Sequence, residues 1–537
     1  MLDFKIPLEW IGECAKSHPE CSNYSNSSTA HTPIFPTRLI NVCPPDGNIR
    51  LVPSKTKAIG EEYLTLSHRW TSGMYTTTQR SLKSHLNRLP FEKLSVCFKD
   101  AIKITRQLGF QYLWIDALCI IQDSPSEMQD ECLHMKDIYR NRAVMLAADR
   151  VENSKDGLYP ARLESQSTPM PFRDTNGQQA SQWILSNRQP AAFGSDVIHG
   201  TLNSRGWTLQ ERILAPRILH FGKSQLHWEC RTSIWWEKTD FKCEFYTPIV
   251  LDEAREMMTA MTRKKLRTVS TRDIAGISNG CTHYTTWYDL VSAYSCRQLT
   301  FLGDRLIAIL GLADFCAEIV QDRFVWGLWR QDLPAGLLWA VQATGPLTRL
   351  AAPSWSWASI DGELTFYIPS TKWGRPLHGT LQKTCEDIVI ENSVIAHRTY
   401  ANGKISCLCP LTLVLLSVFA DSNENEKDSF DHLRKQPNAT VREESSRRVI
   451  GDATLDDDSL LPKQNFLQPL PLHTMMLYRQ DAVPGDCQLK LSKKQIQMSY
   501  CLLLKLGVKD GLFRRCGYAE IDPKAFSNAE VRRIAIV

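Results

Sequence analysis

The sequence predicts an α/β fold: a parallel β-sheet flanked by helices, followed by a helical region and then a β-rich C-terminal region. Three observations carry this. Short, wholly apolar runs such as Tyr112-Leu113-Trp114-Ile115 and Ala143 to Ala148 (AVMLAA) have the composition of strands covered on both faces. Amphipathic helical patterns separate those runs, and strand–helix–strand succession implies parallel neighbours. Beyond Ala352 the pattern changes to short strands with turn residues between them.

Taken in order, residues 1–36 contain the Ser/Asn-rich tract CSNYSNSSTAHTP and are expected to be irregular. Arg38-Leu39-Ile40 and Ile49-Arg50-Leu51-Val52 read as two short strands around the turn Pro44-Pro45-Asp46-Gly47. Tyr63 to Ser67 is a third. Ala101, Ile102, Thr105 and Leu108 recur at helical spacing before Gly109, a C-cap candidate. The strand 112–115 follows. Met128, Cys132, Met135, Ile138 and Tyr139 mark one face of the next helix, and the strand 143–148 comes after it. A looser stretch, 161–182, leads to SRGWTLQERIL, a short helix, and to strands near 217–221 and 225–228. Residues 250–345 read as mostly helical, including 306–312 and 336–341. Residues 421–465 carry mixed charge and little apolar content, so a disordered insertion is expected there. The expected divisions are 1–36, 37–230, 231–351 and 352–537.

The bulk numbers exclude several classes. A chain of 537 residues exceeds one ordinary core. A net charge of +5 with no dense basic block argues against a nucleic-acid footprint. The 17 cysteines include no C-x-x-C pair, and the N-terminus lacks the order of a signal peptide, so neither structural zinc nor a disulfide framework is expected. No metal site and no bound cofactor are predicted. The longest apolar run, Leu411 to Ala420, is shorter than the roughly 20 residues a membrane span needs and reads as a strand. A cytoplasmic location without a membrane partner is the expectation.

Four blocks then stand in a distinctive order: YLTLSHRW (63–70), DAIKITRQLGFQYLWIDALCIIQDS (100–124), EMQDECLHMKDIYRNRAVMLAA (127–148) and SRGWTLQERILAPRILHFGKSQLHWEC (204–230). Together they resemble the fungal heterokaryon-incompatibility (HET) domain. YSCRQLTFLGDRLIAILGLA (294–313), Gly327-Leu328-Trp329 and APSWSWASIDG (352–362) resemble the region that follows the domain in many filamentous-fungal members. Thr71 replaces the glycine usual after the first-block tryptophan, and Ser126-Glu127-Met128 replaces an acidic-Trp pair. The resemblance implies a role in self/non-self recognition and programmed cell death.

The HET domain is in turn remotely similar to Toll/interleukin-1 receptor (TIR) domains, which implies a TIR- or flavodoxin-like core. Some TIR domains cleave the nicotinamide–ribose bond of NAD with a glutamate that follows a Ser-x-Trp motif. SRGWTLQE (204–211) is similar to that motif, which implies Trp207 as its tryptophan and Glu211 as the catalytic carboxylate, with NAD as substrate. Ser67, Arg69, Trp70, Asp116 and Gln122 emerge at the carboxyl ends of predicted parallel strands, where ligands of such sheets lie. With Trp207 they are the candidate ligand-binding residues.

Structural readings stand beside these. Thr208 to Glu211 fits a capping box, with Glu211 serving only the helix start. Asp116 caps the next element or binds ligand, and Glu131 forms an ion pair with Arg140 or Arg142. His68 is structural or an acid–base group, while Trp114, Trp228 and the run Ser354-Trp355-Ser356-Trp357 pack in a core. Three function classes follow: a NAD glycohydrolase that kills the cell, a non-enzymatic module working by homotypic assembly, or an effector governed by a downstream region that binds an unidentified recognition partner.

Overall fold

A computed structural model of the chain describes residues 4–21, 35–54, 62–159, 167–173, 179–186, 193–237, 242–243, 281–342, 348–366, 381–383, 386–391, 404–418, 439–443, 449–455, 470–480, 499–506, 511–521, 526 and 529–537. The chain forms two compact units, one of Met1–Ser270 with Ile307–Leu312 and one of Thr271–Leu306 with Ala313–Val537.

In the first unit α1 (Lys5–Ser17) precedes β1 (Arg38–Asn41), β2 (Arg50–Pro53) and β3 (Tyr63–Ser67). Next come α2 (Gln79–Asn87), α3 (Val96–Gln107), β4 (Tyr112–Trp114), α4 (Asp116–Cys119), α5 (Pro125–Arg140) and β5 (Val144–Ala147). The hairpin β6 (Ser167–Arg173) and β7 (Gln179–Ser186) leads to α6 (Thr208–Leu214), β8 (Arg217–Phe221), β9 (Leu226–Cys230), β10 (Ile234–Trp236) and β11 (Lys242–Cys243).

The described residues give one nine-stranded sheet here, in the order β11-β10-β9-β8-β5-β3-β4-β1-β2. Its centre is parallel: β3 pairs with both β4 and β5, and β5 with β8. The expected strands near 63–67, 112–116 and 143–148 are therefore adjacent and parallel. Their residues are buried on both faces, which explains why the sequence shows apolar runs there rather than alternation. β1 and β9 close the parallel core with antiparallel partners, so the sheet is mixed. In chain order the four parallel strands lie second, first, third, fourth. The strand order therefore reverses between β3 and β5.

Local signals position these elements. Thr78 and Ser81 form a capping box on α2, and Ser95 accepts from the Phe98 N–H at the start of α3. Gly109 ends α3 at φ +81°, a conformation costly for other residues. The N-terminal expectation needs correction, because Lys5–Ser17 is a 13-residue helix. Pro7, Trp10 and Cys14, at helical spacing, turn into the core, and α1 packs on β9. The Ser/Asn-rich residues 22–34 lie outside the described residues.

In the second unit, helix Cys281–Ser295 accompanies short strand pairs. Residues 336–341, read as helix, instead end in the strand Trp339–Val341, paired with Leu364–Phe366. Short apolar runs suit either state, and the partner strand decides. A nine-stranded, mostly antiparallel sheet occupies the C-terminal part. Leu470–Gln480 pairs with both Ser499–Leu506 and Lys404–Val418, which closes its ring of strands. The expected disordered insertion is corrected within 439–455. Ala439–Glu443 and Val449–Leu455 are strands paired with one another and with Lys404–Val418 and Phe513–Ile521. The rest of 421–465 lies outside the described residues.

Candidate functional site

Ser67, Ala147 and His220 share a row across the carboxyl ends of β3, β5 and β8. Glu211, on α6, reaches this row. Its Oε2 accepts a hydrogen bond from Ser67 Oγ at 2.5 Å, and the residue is only 1% exposed. Burial raises its carboxyl above the usual carboxylate range, against the charge of Arg205 and the Ser67 hydroxyl.

The capping reading of Glu211 does not hold. Trp207 is the N-cap of α6 and makes no side-chain cap, and Thr208 Oγ donates backward to the carbonyls of Leu202 and Arg205. Nor does Glu211 stand at the mouth of an open cleft. The recess beside Ser67, lined by Ala147, Asp149, Leu202, Arg212 and His220, is too small for a dinucleotide.

A second group gathers at the end of β4. Asp116 Oδ2 accepts from Trp70 Nε1 at 2.8 Å and lies 3.7 Å from Arg205 Nη2. Asp116 Oδ1 accepts from the Ala117 N–H at 2.7 Å and sits 3.6 Å from His68 Nδ1. Gln122 Nε2 donates to the Asp116 carbonyl at 3.0 Å. Arg205 joins this group to the first strand by donating to the His68 carbonyl at 2.6 Å. His68 is fully buried, and neither ring nitrogen has a hydrogen-bond partner among the described residues; burial lowers its pKa. Ser67, Trp70, Asp116, Gln122 and Glu211 thus converge on one edge of the sheet. Arg69 and Trp207 are half-buried, and no side-chain hydrogen bond, ion pair or ring contact joins them to the group among the described residues.

Glu131 is also corrected. Its Oε1 accepts from the Thr37 N–H at 2.9 Å, while Arg142 lies over the Tyr139 ring and reaches the Glu211 carbonyl at 3.5 Å. Trp114 and Trp228 are core aromatics as expected, and so are Trp355 and Trp357, although Trp357 lies on a short helical turn rather than a strand.

Sequence reasoning missed an adjoining ionic chain. His220 Nδ1 meets Asp149 Oδ2 at 2.8 Å, and its Nε2 meets Glu229 Oε2 at 2.7 Å. Arg212 donates to both Glu229 oxygens, at 2.9 and 3.0 Å. Burial opposes the charged imidazole, but the two carboxylates outweigh it and raise the His220 pKa. The only sequence signal was the presence of Arg, His and Glu inside otherwise apolar strands. Sequence reasoning also missed the gathering of Cys14, His18, Cys21 and Cys230, which have the donor set of a metal centre.

The described helices include none long and apolar enough to cross a membrane. Comparison with curated proteins returns no match, and comparison with solved structures returns none. The family described as Heterokaryon incompatibility protein (HET) does match, over residues 63–211. That span runs from the first residue of β3 to Glu211, so it contains the central strands β3, β4 and β5 and both side-chain groups at their carboxyl ends. Residues 63–211 of the chain are thus a HET domain.

Proposed function

We propose that this chain acts in heterokaryon incompatibility, as a cytoplasmic self/non-self recognition and cell-death factor, and that its HET domain kills by cleaving NAD. The observation that carries the chemical part is the Glu211 carboxylate, held by Ser67 at the carboxyl ends of β3 and β5. Cleavage of the nicotinamide–ribose bond builds positive charge on the ribose, and a carboxylate in a low-dielectric site stabilises that charge strongly. Glu211 fills this role, with Ser67 and Asp116 as partners for the ribose hydroxyls. Trp70 and Trp207 offer aromatic faces for the base, and Arg69 and Gln122 offer donors at the rim. Glu211 is buried, so the segment before α6 has to move before a dinucleotide enters.

The test is incubation of the purified full-length chain with NAD at high and low protein concentration, with free nicotinamide as the readout. Glu211→Gln keeps the side chain's size and can still accept from Ser67. It is expected to abolish nicotinamide release and cell killing at unchanged protein level. A second reading, homotypic assembly without turnover, is favoured by the burial of Glu211, which is closed to a ligand in this conformation. Killing that persists in Glu211→Gln, with no nicotinamide released by either protein, replaces the enzymatic reading with that one.

A further inference from the structure

Away from the Glu211 edge, three sulfurs and an imidazole meet between the end of α1 and the β9–β10 turn. Cys14 Sγ, His18, Cys21 Sγ and Cys230 Sγ place their ligand atoms within 4.8 Å of one another. All three cysteines are buried and unbridged. The geometry points to a zinc site: one tetrahedral Zn²⁺ held by the Cys14, Cys21 and Cys230 thiolates and by His18 Nδ1.

Distances support a single ion. Ligands at about 2.3 Å (sulfur) and about 2.0 Å (nitrogen) from a tetrahedral centre lie about 3.5 Å from each other. The Cys230 Sγ to His18 Nδ1 separation is 3.4 Å. Three thiolates with one imidazole are soft donors that close the coordination shell, as structural zinc requires and as calcium or magnesium does not.

The surroundings are those of a metal centre rather than of three packed thiols. The Ser233 N–H points at Cys230 Sγ at 3.3 Å, and Arg217 Nε donates to Cys14 Sγ at 3.4 Å. Zinc with three thiolates carries one net negative charge, and the buried Arg217 guanidinium offsets it. His18 Nε2 lies 3.5 Å from Ser233 Oγ, which leaves Nδ1 turned to the sulfurs and fixes which nitrogen binds. Arg231 Nη1 donates to the Glu20 carbonyl at 2.7 Å, tying the ligand-bearing turn to the segment that carries Cys21.

The bound ion clips α1 to the sheet across 212 residues of chain. It therefore contributes folding energy to the first unit. The spacing C-x3-H-x2-C with a remote fourth ligand contains no C-x-x-C pair, so no local motif marks the site.

Metal content decides the matter on the native full-length chain, purified without metal-affinity resin or chelator. About one zinc per chain is expected, with X-ray absorption at the zinc edge giving three sulfurs near 2.3 Å and one nitrogen near 2.0 Å. Cobalt(II) in place of zinc should show the visible bands of a tetrahedral thiolate centre. Cys230→Ser is expected to lower zinc affinity by more than the ~10–100-fold that outer-shell changes cost, while the exposed Cys43→Ser retains the metal. A native chain that stays zinc-free after reduction and reconstitution overturns the assignment. So does iron or copper in zinc's place, or a disulfide among these cysteines. Metal content, X-ray absorption and the cobalt spectrum are read on the native chain and do not depend on whether a variant folds.

Discussion

Glu211 shows how one residue can satisfy a helix pattern and still serve something else. Its place three residues after Thr208 fits a capping box, yet its carboxylate turns to Ser67. Burial raises the folded-state pKa above the unfolded value, so the protonated form favours folding. That contribution is fully present below the ordinary carboxylate pKa and is lost as pH rises through the raised one. Melting temperatures of the native protein and Glu211→Gln should therefore diverge with rising pH, the Gln variant gaining. Parallel curves from about pH 4 to about pH 8 would contradict a raised pKa. A second residue is decisive in the other unit. Gly327 sits at φ +93°, where an added Cβ would stand 2.4 Å from Trp357 Nε1. Its carbonyl accepts from both Trp287 and Trp357, at 3.0 and 2.8 Å. Gly327→Ala is expected to cost about 1–3 kcal/mol or more, through backbone strain plus overpacking, in denaturant unfolding. A variant as stable as the native chain would show that the indoles can withdraw.

At the scale of elements, the hairpin β8–β9 carries charge through the middle of a sheet. His220 on β8 lies between Asp149 and Glu229, and Glu229 on β9 is gripped by Arg212 of α6. Side chains this deeply buried are stable only while each charge keeps its partner. Glu229→Gln removes one charge from the set and is expected to cost about 3–5 kcal/mol, read from the denaturation midpoint. His220 has a raised pKa, so its contribution holds below the ordinary imidazole value and is lost as pH rises through the higher one. The native protein should thus weaken on the alkaline side of neutrality, and the loss should shrink in Glu229→Gln. An unchanged pH profile would separate Glu229 from the titration of His220. The strand character of RILHF and LHWEC was legible from their apolar residues, but the pairing of their charged ones was not. That pairing depends on register across β5, β8 and β9.

At the scale of the molecule, an open sheet and a closed one come from very different sequence signals. The first unit follows a βα alternation that local pattern specifies well. The second closes through long-range antiparallel pairs, and two of its strands lie in a segment whose average composition resembles disorder. ATVRE and VIGDATL are short β-prone runs inside a charged tract, and averaging over the tract hides them. Both occupy the middle of their sheet, between Lys404–Val418 and Phe513–Ile521. Deleting 439–455 is therefore expected to abolish cooperative unfolding of the second unit by calorimetry. A transition that survives the deletion would mean the sheet closes without them.

The sequence by itself determined the α/β core, its parallel strands and the HET domain at 63–211, because apolar period and contiguous motifs are local properties of the chain. It also placed Ser67, Trp70, Asp116 and Gln122 at one edge, since parallel strands present their carboxyl ends together, while Glu211 came from the resemblance of SRGWTLQE to a TIR motif. Tertiary structure alone decided what those groups touch, that Glu211 is buried against Ser67, that His220 joins two carboxylates, and that Cys230 meets Cys14, His18 and Cys21. The physical reason is range. Helix and strand preferences act over a few residues, whereas hydrogen bonds, ion pairs and metal ligation act over a few ångströms between residues that can stand hundreds apart in sequence.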